Sequence, residues 1–158
     1  MRKVLSFLFA VIMIFSVTSV FACAEDSDVV ISESIEYLED GSYIVSTLVV
    51  ENDKPVARAT NSKTGSRTSV LYNSDNEPMV TLKLTATFNY TGSSATCTAA
   101  STSYTIHNSY WKVTSATATK SGNKATGNYT SKKYLLGIAT QTINSTTTIT
   151  CSNTGTLS

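Results

Sequence analysis

Met79-Val80-Thr81-Leu82-Lys83-Leu84-Thr85-Ala86-Thr87-Phe88-Asn89-Tyr90 decides the fold class. Val80, Leu82, Leu84, Ala86, Phe88 and Tyr90 fall on one side of an extended chain, and Thr81, Lys83, Thr85, Thr87 and Asn89 on the other. Side chains of a strand alternate between faces, so period two over a dozen residues describes a strand with one face buried and one wet. That alternation belongs to antiparallel sheet.

The same signal spreads in both directions. Upstream, 31–37 and 43–50 are β-rich runs joined by Leu38-Glu39-Asp40-Gly41-Ser42, with Asp-Gly at the hairpin tip. Residues 51–65 are polar, carry Pro55 and Gly65, and read as a connecting loop; 66–72 alternates and runs into the turn Asn73-Ser74-Asp75-Asn76. Downstream, after Gly92-Ser93-Ser94, come strands over 95–106, 111–119, 124–133 and 141–151. The breaks between them are His107-Asn108-Ser109 and Ser121-Gly122-Asn123. The apolar run 134–139, with Gly137 inside, reads as a buried strand with a bulge. Short strands at this spacing predict an all-β antiparallel sandwich with an N-terminal β-hairpin, or a barrel. Of the 74 residues from Thr85 onward, 31 are Ser or Thr, so the strands have thin cores and hydroxyl-rich outer faces.

The beginning of the chain reads as an address. Arg2 and Lys3 precede an apolar run to Val20, followed by Ala22-Cys23-Ala24 and the polar Glu25-Asp26. This is the pattern of a secretory signal peptide over 1–24, with mature protein from Glu25. A minor alternative is a lipoprotein acylated on Cys23, which Phe21 fits poorly. Expected divisions are therefore 1–24 signal peptide, 25–65 acidic hairpin and loop, and 66–158 Ser/Thr-rich body. Cleavage leaves two cysteines, Cys97 and Cys151, which in an oxidising compartment predict one disulfide. With neither His nor a third Cys near them in sequence, no metal site and no cofactor are expected.

Charge is divided along the chain. Residues 25–77 hold all eleven acids against four bases, leaving −7; residues 78–158 hold six lysines and no acid, leaving +6. Either the second half offers a basic face to an anionic partner, or the two halves neutralise each other. The order Cys97, Trp111, Cys151 has spacings similar to immunoglobulin domains, which would place Trp111 in the core against the disulfide. Ile149 stands where those domains carry the tyrosine of the corner motif.

Further stretches resemble a group of short exported proteins of Gram-positive bacteria. They are Gly41-Ser42-Tyr43-Ile44-Val45, Phe88-Asn89-Tyr90-Thr91-Gly92-Ser93-Ser94-Ala95-Thr96-Cys97, Trp111-Lys112-Val113, Lys120-Ser121-Gly122-Asn123, Tyr134-Leu135-Leu136-Gly137 and Thr150-Cys151-Ser152. The resemblance covers most of the mature chain. It implies export and paired cysteines; it brings no activity, substrate or functional residue.

Catalytic chemistry is poorly provided for. His107 is the single histidine, with no acid within 29 residues of it, and no nucleophile-elbow motif is present. Paired carboxylates occur only near Glu25 and at Glu39-Asp40, where solvated turns explain them. The chain is therefore not expected to be an enzyme. His107, Tyr110 and Trp111, between two strands, are the candidate ligand-binding residues, since exposed aromatics stack on sugar rings. The rows Thr117-Ala118-Thr119 and Thr146-Thr147-Thr148 lack a regular repeat and read as ordinary strand exteriors. The expectation is a secreted, non-catalytic surface-interaction module for an extracellular ligand such as a glycan or anionic polymer, with no nucleic-acid partner and no stable membrane anchor after processing. A membrane-active or antibacterial secreted protein is the alternative.

Overall fold

The computed structural model describes residues 29–51 and 61–158. The expected leader with Cys23, the acids Glu25, Asp26 and Asp28, and most of the expected loop lie outside them. Eight strands follow one another: β1 (Val29–Tyr37), β2 (Tyr43–Val50), β3 (Asn61–Tyr72), β4 (Pro78–Tyr90), β5 (Ala95–Ile106), β6 (Trp111–Ser121), β7 (Lys124–Leu135) and β8 (Ile138–Thr150). All neighbours pair antiparallel, in one sheet β1-β2-β3-β4-β5 and a second sheet β6-β7-β8. The second sheet lies across β3, β4 and β5, and β1 and β2 extend beyond it. This is the expected two-sheet antiparallel architecture with its N-terminal hairpin.

Topology departs from the immunoglobulin comparison. Each sheet is a meander of consecutive strands, whereas immunoglobulin sheets interleave their strands through Greek-key connections. Two boundaries also move. β3 begins at Asn61, because Asn61 to Gly65 pair with Tyr90 to Ala86 on β4 and Gly65 pairs with Val50 on β2. Residues 134–139 form no strand of their own: they are the end of one hairpin, with Leu135 paired to Ile138. The apolar composition predicts burial, yet Leu135, Leu136 and Ile138 are all exposed because they stand at the hairpin tip.

A meander puts alternate turns at opposite ends. Residues 38–42, 73–77, 107–110 and 136–137 lie at one end, called the upper; 91–94 and 122–123 lie at the lower. The core divides accordingly. A lower cluster holds Leu48, Leu84, Ala86, Phe88, Cys97, Ala125, Ile149, Cys151 and Leu157; an upper one holds Leu71, Met79, Val80, Leu82, Trp111 and Tyr129. β4 supplies both, as its alternation requires. Glycine lets rings and tails approach: Tyr129 lies over Gly127, its hydroxyl 3.0 Å from where a Cβ would stand. Leu157, 2 % exposed, occupies the space beside Gly65. The chain end returns to place it there, with Cys151 bridging Leu157 and Ser158 N–H donating to Thr150 O at 3.0 Å.

Candidate functional site

The three aromatic candidates separate on folding. Trp111 is 2 % exposed in the upper core, so it offers no stacking surface. It also lies in the opposite cluster from Cys97 and Cys151, so the expected contact between Trp111 and the cysteine pair is not made. His107 and Tyr110 remain exposed. His107 Nε2 is 2.9 Å from Thr81 Oγ1, and its backbone N–H donates to Met79 O. Asn108 shapes the turn: Tyr110 N–H donates to Asn108 Oδ1 and Trp111 N–H to Asn108 O. Tyr110 O in turn accepts from Tyr134 N–H at 2.7 Å, tying this loop to β7.

Among the described residues no three His, Cys, Asp or Glu side chains come together. Cys97 and Cys151 are close neighbours in the lower core, where the structure carries them as thiols rather than the expected disulfide. Each Sγ donates to a nearby carbonyl, Cys97 to Ala99 O and Cys151 to Ser152 O, both at 3.3 Å. Burial pushes both thiols up against the pull of Lys120 on Cys97 and of Lys63 on Cys151. Protonated, buried sulfur is a poor nucleophile. Asp40 is held below the usual carboxylate range chiefly by the Ser42 hydroxyl, then by Ser42 N–H and Gln141.

The outer face of β6–β8 is the more coherent surface. Register aligns Lys112, Lys132 and Thr142 in one cross-strand row, followed by Ser115, Thr130 and Asn144. Further rows are Thr117, Asn128, Thr146; Thr119, Thr126, Thr148; and Ser121, Lys124, Thr150. Their neighbours Ala125, Gly127, Tyr129 and Ser131 are buried on the inner face, which leaves these rows pointing to water. Cross-strand bonds hold the rows in place: Thr130 Oγ1 donates to Asn144 Oδ1 at 3.0 Å and Thr146 Oγ1 to Asn128 Oδ1 at 3.1 Å. Lys112 Nζ lies 5.2 Å from the Tyr134 ring centroid. The face is thus hydroxyl and amide, with Lys112 and Lys132 near its upper end, Lys124 near its lower, and no carboxylate. With the threonine hydroxyls donating within the sheet, the lysine ammoniums and the Asn128 and Asn144 amide N–H groups are the donors the face turns outward, which suits an acceptor-rich, anionic partner.

The sequence reads these threonines as strand exteriors, which holds for the outer rows but not for Thr147, which is buried; the gathering of the rows with three lysines by three strands is not visible in the sequence. Only the alternation of β7 carries part of the signal: Lys124, Thr126, Asn128, Thr130 and Lys132 on one face, Ala125, Gly127, Tyr129 and Ser131 on the other. No family model, curated protein or solved structure matches the chain.

Proposed function

We propose that this is an exported, non-catalytic module that binds an anionic extracellular surface or polymer through the outer face of β6–β8. The observation that carries this reading is the alignment of Lys112, Lys124 and Lys132 among hydroxyl rows on a face without a carboxylate. Export is supported by the leader-like segment 1–24 and by the resemblance to exported Gram-positive proteins; the same setting favours oxidation of Cys97 with Cys151. Absence of catalysis is supported by the solitary His107, bonded to Thr81 rather than to an acid, and by the raised thiols.

Exposed lysines act at short range in salt, since the screening length is roughly 8 Å at physiological ionic strength. Binding should accordingly be strong at low salt and weaken steeply as salt rises. Passing the mature protein over immobilised polyanionic glycan and a neutral glycan tests the reading. Salt-sensitive retention on the first and none on the second is expected; equal behaviour on both would overturn it.

A further inference from the structure

The β7–β8 hairpin ends in Leu135-Leu136-Gly137-Ile138, with Leu135 paired to Ile138 and φ positive at both central residues, 51° at Leu136 and 82° at Gly137. This is the geometry of a type I′ turn, whose first central position ordinarily takes Asn, Asp or Gly. A side chain on a left-handed backbone crowds the following carbonyl, and asparagine tolerates this better than leucine. Among the described residues the other non-glycine with positive φ is Asn76. Leu136 is also 95 % exposed, with Ile138 at 69 % and Leu135 at 55 %. Leucine here serves neither the turn nor the core. A residue that opposes both its backbone and its solvent marks a place to look for function.

What surrounds the tip indicates its partner. Tyr134 N–H makes the last bond to the neighbouring loop, at Tyr110 O, and Leu135 and Leu136 continue beyond it. Lys132 and Lys133 immediately precede, on opposite faces of β7, and Lys112 stands beside Lys132 over the Tyr134 ring. Tyr110 is exposed alongside. From the tip backwards the order is therefore aliphatic, aromatic, cationic, which matches the order of acyl chain, interface and headgroup phosphate in a bilayer. Asp40 accepts from Gln141 Nε2 at 2.8 Å on the inner side, and Glu39, Asp75 and Glu77 share this upper end on the turns of the first sheet, so an anionic surface is met with the second sheet leading.

We propose that residues 135–138 insert into the surface of an anionic lipid bilayer, with Lys112, Lys132 and Lys133 on the headgroups. The proposal rests on the basic-surface reading above for its lysines and adds the tip. Two residues of strand reach some 7 Å, within the roughly 5–10 Å that interfacial elements penetrate. A protein occupant, whether a second copy or another chain, fits less well. A second copy would bring the same lysines against these, and three side chains are far short of the area that a stable protein interface buries.

Sedimentation of the mature protein with phosphatidylcholine vesicles, with and without phosphatidylglycerol, tests it. Binding is expected only where phosphatidylglycerol is present. Leu136→Asn should weaken vesicle binding about tenfold, as expected for losing one buried leucine. It should leave retention on the immobilised polyanionic glycan unchanged and thermal stability equal or higher, because Asn-Gly suits the turn. Lys132→Gln and Lys133→Gln should each weaken vesicle binding roughly fivefold. Leu136→Asn bound as tightly as wild type would overturn insertion. Retention on the glycan with no binding to phosphatidylglycerol vesicles would overturn it too, leaving the surface reading intact. Failure on both supports would remove both.

Discussion

Trp111 and Tyr129 bring polar atoms into the upper core without satisfying them: among the described residues neither the indole N–H nor the phenol hydroxyl has a hydrogen-bond partner. Trp111→Ala should cost about 3–5 kcal/mol in chemical denaturation, as for other large buried aromatics. Its emission should be blue-shifted and indifferent to thiol reagents, since the cysteines occupy the other cluster. Emission that brightens on reduction would place it beside them after all. Tyr129→Phe removes an unpaired hydroxyl at little loss of volume and should be neutral or stabilise by up to about 1 kcal/mol. Burial pushes the Tyr129 phenol from 10.0 to about 12, so the fold favours the neutral form. That contribution is complete below pH 10 and lost as pH rises from 10 towards 12, where the unfolded chain ionises first. Alkaline melts of Tyr129→Phe should therefore fall less steeply than wild type over this interval; parallel curves would contradict the buried phenol.

At the scale of elements, legibility followed periodicity. β4 was readable because its alternation is unbroken, and the β1–β2 hairpin because Asp40-Gly41 sits between two β-rich runs. The hairpin end at 134–139 was not, since composition alone cannot distinguish an apolar run in a core from one at a tip. The start of β3 was hidden by polar residues whose pairing is fixed by β2 and β4 rather than by pattern. Nor did sequence announce the chain end as part of the core. Leu157 against Gly65 predicts that Leu157→Ala costs about 2–5 kcal/mol. Gly65→Ala should cost about 1–3 kcal/mol, because the added Cβ would overlap Leu157 and stand 3.2 Å from Val49 O. The double variant should lose less than the sum of the two, and simple additivity in a double-mutant cycle would show that they do not touch.

Across the molecule, the charge division becomes spatial. Glu33 and Glu36 lie on β1, and Glu39, Asp40, Asp75 and Glu77 in or beside the upper turns of the first sheet; five of the six late lysines lie on the second sheet. Scattered lysines without arginine favour mutual neutralisation when read from the sequence, because which lysines share a face is set only by strand register. Cys97 and Cys151 share a cluster as their expected pairing requires. If export oxidises them, closing a loop of about 55 residues contributes about 4 kcal/mol. Denatured without reductant and alkylated, the exported protein should then carry no label, whereas two labels would mean that both thiols persist. If the β6–β8 face rather than net charge does the binding, its lysines should matter more than an equal number elsewhere. Retention on immobilised polyanionic glycan should be compared between a variant with Lys112→Gln, Lys124→Gln and Lys132→Gln and one of equal charge with Lys63→Gln, Lys83→Gln and Lys120→Gln, whose lysines lie off the outer face of β6–β8. The variant on the β6–β8 face should elute at far lower salt than the charge-matched variant off it; equal elution of the two would contradict binding by that face.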